Sequence, residues 1–237
     1  MPFQPGIISS RRRVTVVAGV LPTTSGALHT RYDAQQETAT NGATITTITD
    51  RSGNAFTATA AGTGLITMDT AGLNGFRTYD FPASGTAWAD TGTFATILST
   101  TIIHVFIVAK FVNIAGNQAI IASTTSTSLK VGSSSGPYSA VRGGTAMAGG
   151  TVDANPHRLH LFSPASGAAT ATLDLDATTI AGPAGIASSA QTAWRVGSNA
   201  GGQQFRGNIG EILIYTGALT TTDVTNVDNY LKTKWGF

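Results

Sequence analysis

Asp174-Leu175-Asp176 is where the sequence sets two carboxylates two residues apart. On a strand that spacing points both side chains to one face. Paired carboxylates serve glycoside hydrolysis, in which one acid protonates the leaving oxygen while the other attacks or activates water. Here the segment runs from a strand into a loop and no glutamate follows it, so the pair is a motif fragment without its context. The only glutamates are Glu37 and Glu211. Two metal-binding histidines on a strand want i and i+2 spacing, whereas His157 and His160 point to opposite faces unless His157 belongs to the turn after Pro156. His104 lies in an apolar run and reads as a satisfied sheet histidine. No H-E-x-x-H, Walker A or G-x-S-x-G motif occurs. These residues favour recognition over turnover.

Recognition of a sugar uses an aromatic ring beside hydrogen-bonding side chains, commonly on loops. Trp88-Ala89-Asp90, between Gly85 and Gly92, is expected on such a loop, and Tyr138 and Arg142 on another. The competing expectation is that Trp88 packs on the edge of the fold, since large aromatics are mostly buried. Trp194 and Trp235 sit on periodic segments and read as core. Asp33, Asp50, Asp80 and Asp90 are the candidate ligands for a structural calcium, but no spacing among them is diagnostic, and Asp33 and Asp50 read as turn-stabilising. No cofactor is expected. Arg11-Arg12-Arg13 is the one basic cluster, either a solvated arm or an arm docked on an acidic neighbour.

The elements that must position these residues come from an unusual composition. The 237 residues can form one all-β sandwich with a core large enough to need no staple. Cysteine is absent, which removes disulfides and thiolate chemistry. Only 11% of residues are charged and 41% are hydrophobic, so solubility rests on hydroxyls and amides. Threonine favours strands and the 28 glycines supply turns. A net charge of +2, without clustered lysine and arginine among aromatics, argues against a nucleic-acid partner. No stretch approaches the ~18 apolar residues of a membrane span. Met1 to Pro5 carries no positive charge ahead of an apolar run, so no signal peptide is expected.

Residues 1–28, with Pro2, Pro5, Pro22 and the three arginines, read as an N-terminal arm, and 29–237 as a single domain. Strands are expected at Ala43–Thr49, Thr101–Val112, Ala119–Ala122, Arg158–Phe162, Ala169–Leu175, Trp194–Gly197 and Gly207–Tyr215. Thr101–Val112 is apolar enough to be buried on both faces. Residues 123–150 read as a long loop with a weak strand at Tyr138–Arg142. One helix is expected over Thr221–Trp235, with Val224, Val227 and Leu231 on its apolar face, a capping box from Thr220 and Asp223, lysines 232 and 234 near its C-terminus, and Gly236 ending it.

The C-terminal run Phe205-Arg206-Gly207-Asn208-Ile209-Gly210-Glu211, then Tyr215, Ala218-Leu219-Thr220 and Tyr230-Leu231-Lys232-Thr233-Lys234-Trp235-Gly236, resembles the end of concanavalin A-like lectin/glucanase (laminin-G-like) domains. Tyr32-Asp33-Ala34, the turn Asp50-Arg51-Ser52-Gly53-Asn54, Leu73-Asn74-Gly75 with Tyr79-Asp80-Phe81, and Trp194-Arg195-Val196-Gly197-Ser198 agree with the family pattern in order. The resemblance covers roughly residues 30–237. It implies an all-β fold of two antiparallel sheets in a jelly-roll sandwich with one short C-terminal helix. It also makes Glu211 a structural hydrogen-bonding residue. Hydrolases of this fold place a glutamate–aspartate–glutamate set on one strand, and this chain has no such strand.

Copies of this size resemble virion proteins of bacteriophages. The resemblance therefore implies a non-enzymatic structural protein, a minor tail or capsid decoration protein, made in the host cytoplasm and located in the virion. Its expected partners are other virion proteins, its own copies in a homo-oligomer such as a trimer, and a host-surface glycan, with no membrane insertion. The alternative is a carbohydrate-binding module for cell-envelope glycans. A glycan hydrolase is the least favoured.

Overall fold

The two most apolar stretches of the sequence become neighbours at the centre of one sheet. A computed structural model describes residues 20–98, 100–112, 116–123, 129–142, 145–165, 171–184, 190–199 and 202–237. In chain order its strands are β1 Ala27–Asp33, β2 Thr47–Ile48, β3 Ala58–Gly62, β4 Thr67–Leu73, β5 Phe76–Phe81, β6 Ala87–Thr91, β7 Ile103–Phe111, β8 Gln118–Ser123, β9 Leu129–Ser133, β10 Tyr138–Arg142, β11 Thr145–Gly149, β12 Pro156–Ser163, β13 Ala171–Leu175, β14 Thr178–Ala184, β15 Trp194–Val196 and β16 Gly207–Thr216, and helix α1 spans Thr221–Trp235. The first sheet runs β14-β13-β12-β7-β16-β5-β4, with β1 also paired to β16. The second runs β11-β10-β9-β8-β15-β6-β3-β2. The fold is therefore the expected two-sheet antiparallel sandwich with one C-terminal helix.

β7 and β16 are buried on both faces, which is why they read as unbroken apolar runs. Val105, Ile107, Ala109 and Phe111 of β7 and Ile209, Ile212 and Ile214 of β16 face the second sheet and build the main core. Phe106, Val108, Leu213 and Tyr215 face the other way, onto Val227, Tyr230, Leu231 and Trp235 of α1. A bulge between Ile209 and Glu211 shifts the alternation, so that Glu211 joins the helix-facing set. Gly210 at that bulge has no side chain because Trp235 occupies the space: a Cβ there would lie 2.7 Å from the indole.

Helix α1 begins with the expected capping box, in which Asp223 N–H donates to Thr220 Oγ1 and Thr220 N–H donates to the Asp223 carboxylate. It ends at Gly236 in the left-handed conformation, φ 70°. Lys234, expected to complement the helix dipole, is instead turned inward. Its Nζ donates to Asp33 at 2.6 Å and to Glu211 at 2.7 Å. Arg31 donates to the same two carboxylates, and Tyr230 Oη and Trp235 Nε1 donate to Glu211. Asp33 and Glu211 have no exposed side-chain surface. Glu211 thus has the structural role that the resemblance implied.

Three local expectations change. Residues 123–150 hold the three-stranded run β9, β10 and β11, where a loop with one strand was expected; five-residue strands set in a Ser/Thr/Gly-rich segment carry little periodic signal. Ala43–Thr49 contributes only the two-residue β2 and a bridge from Thr44 to Thr67. Trp88 and Asp90 lie in β6, not in a loop. Arg11, Arg12 and Arg13 lie outside the described residues. At the inner end of the expected arm, Ser25 hydrogen-bonds to Asp223 at the start of α1, and β1 begins at Ala27.

Two outcomes are expected. Glu211→Leu leaves Arg31 and Lys234 facing Asp33 alone, and should destabilise the chain by about 3–5 kcal/mol, read as a lower urea midpoint at unchanged slope. His29, His104 and His157 should titrate far apart by NMR. Burial takes His29 from its ordinary 6.5 down to about 4 despite Asp50, and burial and then His160 take His104 down to about 3. Hydrogen bonding to Asp176 raises His157 above 6.5. His29 and His104 stay neutral where the unfolded chain protonates, so their contribution to stability is full above pH 6.5 and is lost as pH falls toward 4 and 3. His157 contributes in the opposite sense, fully below 6.5 and lost as pH rises through its raised pKa. A His29 midpoint near 6.5 would contradict its placement among Phe56, Phe94 and Trp194.

Candidate functional site

Strand β6 alternates cleanly: Ala87, Ala89 and Thr91 are buried toward the core, and Trp88 and Asp90 point out of the second sheet. Thr91 exchanges two hydrogen bonds with the backbone of Trp194, stitching β6 to β15. That register sets Arg195 opposite Asp90. Arg195 Nε donates to one Asp90 oxygen at 2.6 Å and Nη2 to the other at 3.0 Å, a bidentate fork. Trp88 Nε1 donates to Asp90 at 2.9 Å, and the Arg195 guanidinium lies 4.9 Å from the Trp88 ring centroid. An ion pair this exposed contributes only ~0–1 kcal/mol to stability. Its structural effect is to fix a half-buried indole at a set angle on an open sheet face.

The indole stays partly exposed among small neighbours. Ala61 is paired with Trp88 on β3, and Thr59 with Asp90; both β3 residues are exposed. Gly62, at φ 100°, lets the indole lie across β3, since a Cβ there would meet Trp88 Cζ3 at 2.9 Å. Thr47 of β2, opposite Thr59, extends the shelf. On the other side Asn199 and Gln203 close the sheet over. Gln203 Oε1 accepts from Lys130 Nζ at 3.1 Å and from Asn199 Nδ2 at 3.1 Å, and Lys130 is only 6% exposed. Burial lowers the Lys130 ammonium below its ordinary pKa. The result is a terrace of small side chains bounded by a Trp–Asp–Arg ridge.

The other sequence candidates separate from this ridge. Tyr138 has no exposed surface, because β10 turns it inward against Phe111 and His157 between the sheets; it is not available to a ligand. Arg142 ends β10, and its side chain lies outside the described residues. Asp50 accepts from the N–H groups of Arg31, Ser52 and Phe56 and organises its turn, as expected. Asp33 is locked to Arg31 and Lys234, and Asp80 lies beside Asn208. Among the described residues no three histidines or carboxylates gather closely enough to hold a metal ion. Glu37 accepts from Tyr79 Oη at 3.0 Å and pairs with Arg51 at 3.6 Å. Arg195 is the residue that sequence reasoning missed. Its signal was there: a lone arginine between buried Trp194 and Val196 must point outward on a strand.

No protein-family model and no curated protein matches the chain. Solved structures do. Domain 4 of AbnA, a GH43 extracellular arabinanase from Geobacillus stearothermophilus solved in complex with arabinotriose, aligns with a TM-score of 0.57 at 13% identity, over 86% of this chain and 98% of that domain. Botulinum neurotoxin type C, from work on its cell entry through two ganglioside molecules, aligns with a TM-score of 0.61 at 11% identity, over 86% of this chain and 51% of the other. Trypanosoma rangeli sialidase with sialic acid gives 0.59 at 11%, over 90% and 34%. The chain thus spans about half of the toxin chain and a third of the sialidase. At these identities the likeness shows a shared sandwich fold.

Proposed function

We propose that the chain is a non-enzymatic carbohydrate-binding domain that engages glycans on the terrace beside Trp88. The observation that carries this reading is the indole held half-exposed by Asp90 and Arg195 on an otherwise small-residue sheet face. The apolar face of a sugar ring packs on an aromatic face, and its hydroxyls can donate to Asp90 and accept from Arg195. Threonines 47 and 59 add hydroxyl partners along the shelf. Arabinotriose bound to the arabinanase domain, which this chain matches over nearly its whole length, supports the same class of ligand. A non-catalytic role is supported by Glu211 being locked in the buried network and Glu37 being tied to Tyr79. On a phage particle, the same face would attach to host-envelope glycans.

A glycan array followed by calorimetry tests this. The intact chain should bind at least one glycan saturably and without turnover. Trp88→Ala should weaken binding about tenfold or more, ~1.4 kcal/mol, and Arg195→Met should weaken it too, both with little change in the unfolding midpoint. A chain that binds no glycan, or a Trp88→Ala variant that binds as tightly as the parent, would sink the proposal.

A further inference from the structure

On the opposite face of the sandwich, α1 and the first sheet enclose a cleft of about 380 Å3. Helix and sheet fail to close here because α1 turns its apolar stripe toward Phe106 and Leu213 and leaves the adjoining polar stripe over the sheet. That stripe is Thr225, Asp228, Asn229 and Lys232, at helical i, i+3, i+4 and i+7 positions. The facing wall is Arg158 and His160 of β12 with Asp174 and Asp176, and Phe106 lies at its base.

The sheet wall is rigidly built. Leu219 N–H donates to His104 Nε2, which leaves His104 Nδ1 to donate to His160 Nε2 at 3.1 Å and His160 Nδ1 to donate to Asp174 at 3.1 Å. Thr179 Oγ1 holds the second Asp174 oxygen at 2.7 Å. Burial would raise the Asp174 carboxyl, but the His160 and Thr179 hydrogen bonds outweigh it and hold the group below its ordinary pKa. Asp176 and Ala177 form a turn in which both residues have positive φ, 50° and 66°, although neither is glycine. That strained turn lets Asp176 accept from the Arg158 N–H at 3.0 Å. Arg158 in turn reaches across to Asp228 at 2.8 Å, tying the two walls together. Lys232 and Asn229 make no side-chain hydrogen bond among the described residues.

The charges on the two walls select the ligand. Asp174, Asp176 and Asp228 oppose an anion, and Arg158 and Lys232 oppose a simple cation. Arg158 is held by Asp228, and Asp176 by His157 and the Arg158 N–H, so what remains for a ligand is carboxylate lone pairs beside the Lys232 and Asn229 donors; a hydroxyl both donates and accepts, so a neutral polyol can use both. The volume lies at the low end of small-molecule sites, which run from about 300 Å3, and suits one ring better than a chain. We propose that this cleft binds a single neutral sugar residue, making it a second carbohydrate contact on the face opposite Trp88. It shares no residue with the terrace and stands independently of it.

The test is an amide NMR titration of the full chain with D-glucose, D-galactose, D-mannose, L-arabinose and N-acetyl-D-glucosamine, each up to roughly 50 mM, well above a ~1 mM Kd. Glycine serves as the zwitterion control. The expected result is saturable shifts at residues 158, 160, 174 and 225–232 with at least one sugar. Asn229→Ala and Lys232→Ala, at exposed helix positions where alanine is well tolerated, should weaken that binding roughly tenfold. Trp88→Ala should leave the cleft shifts unchanged, which separates a failure here from a failure at the terrace. The inference is overturned if none of these sugars gives saturable shifts at the cleft, if only glycine does, or if both helix variants bind as the parent does.

Discussion

Two carboxylates, Asp33 and Glu211, are sealed between the first sheet and α1, and that side of the molecule is arranged to neutralise them. Arg31 and Lys234 supply equal and opposite charge, and Tyr230 and Trp235 supply the remaining donors. Such a set contributes little net stability over an apolar alternative, because desolvation offsets most of the attraction. Its effect is on register. A one-residue slip of α1 would withdraw Lys234, Tyr230 and Trp235 and leave Arg31 alone against two anions, so the helix has one seat on the sheet. The bulge at Gly210 is part of the same constraint, since without it Glu211 would point into the main core.

That seat makes the two sheets unequal. The first is covered on its outer face by α1, and its central strands are dry on both sides. The second keeps part of its outer face open. On β6 and β15 the outward positions carry Trp88, Asp90 and Arg195, while every inward neighbour is buried. The scaffold that fixes the ridge is the stitched pair of strands beneath it, and α1 takes no part in it. The expensive buried charges lie under the helix, and the Trp88–Asp90–Arg195 ridge rests on ordinary sheet.

Much of the fold was legible in the sequence because its signals are local. The capping box, Gly236 and the Val227–Leu231 spacing mark α1 correctly, and two long apolar runs mark β7 and β16. The five-residue strands β9 and β11 were not legible, since each carries one or two large apolar residues, Leu129 and Val131 or Met147, too few to show a period. The same limit explains the site. Trp88 and Asp90 were visible as chemistry but misplaced on a loop, because flanking Gly85 and Gly92 read as turn signals. Tyr138 was misread because only the opposite sheet shows which way it faces. Lys234 looked like a surface lysine, and nothing local says that two buried acids await it.

The sheet edges bear on how many copies of this chain can be brought together. A protein with 11% charged residues has little electrostatic repulsion with which to keep its copies apart. Its exposed strand ends are blunted instead. β2 is two residues long, β4 is broken by a bulge between Asp69 and Leu73, and β14 carries Gly182 and Pro183. The β11 edge is shielded by β14 so closely that a Cβ on Gly149 would collide with the Ile180 carbonyl. Strand-to-strand growth is therefore blocked by shape and not by charge, and shape is indifferent to salt. Blunted edges of this kind do not weaken as salt rises, whereas repulsion between charges is screened.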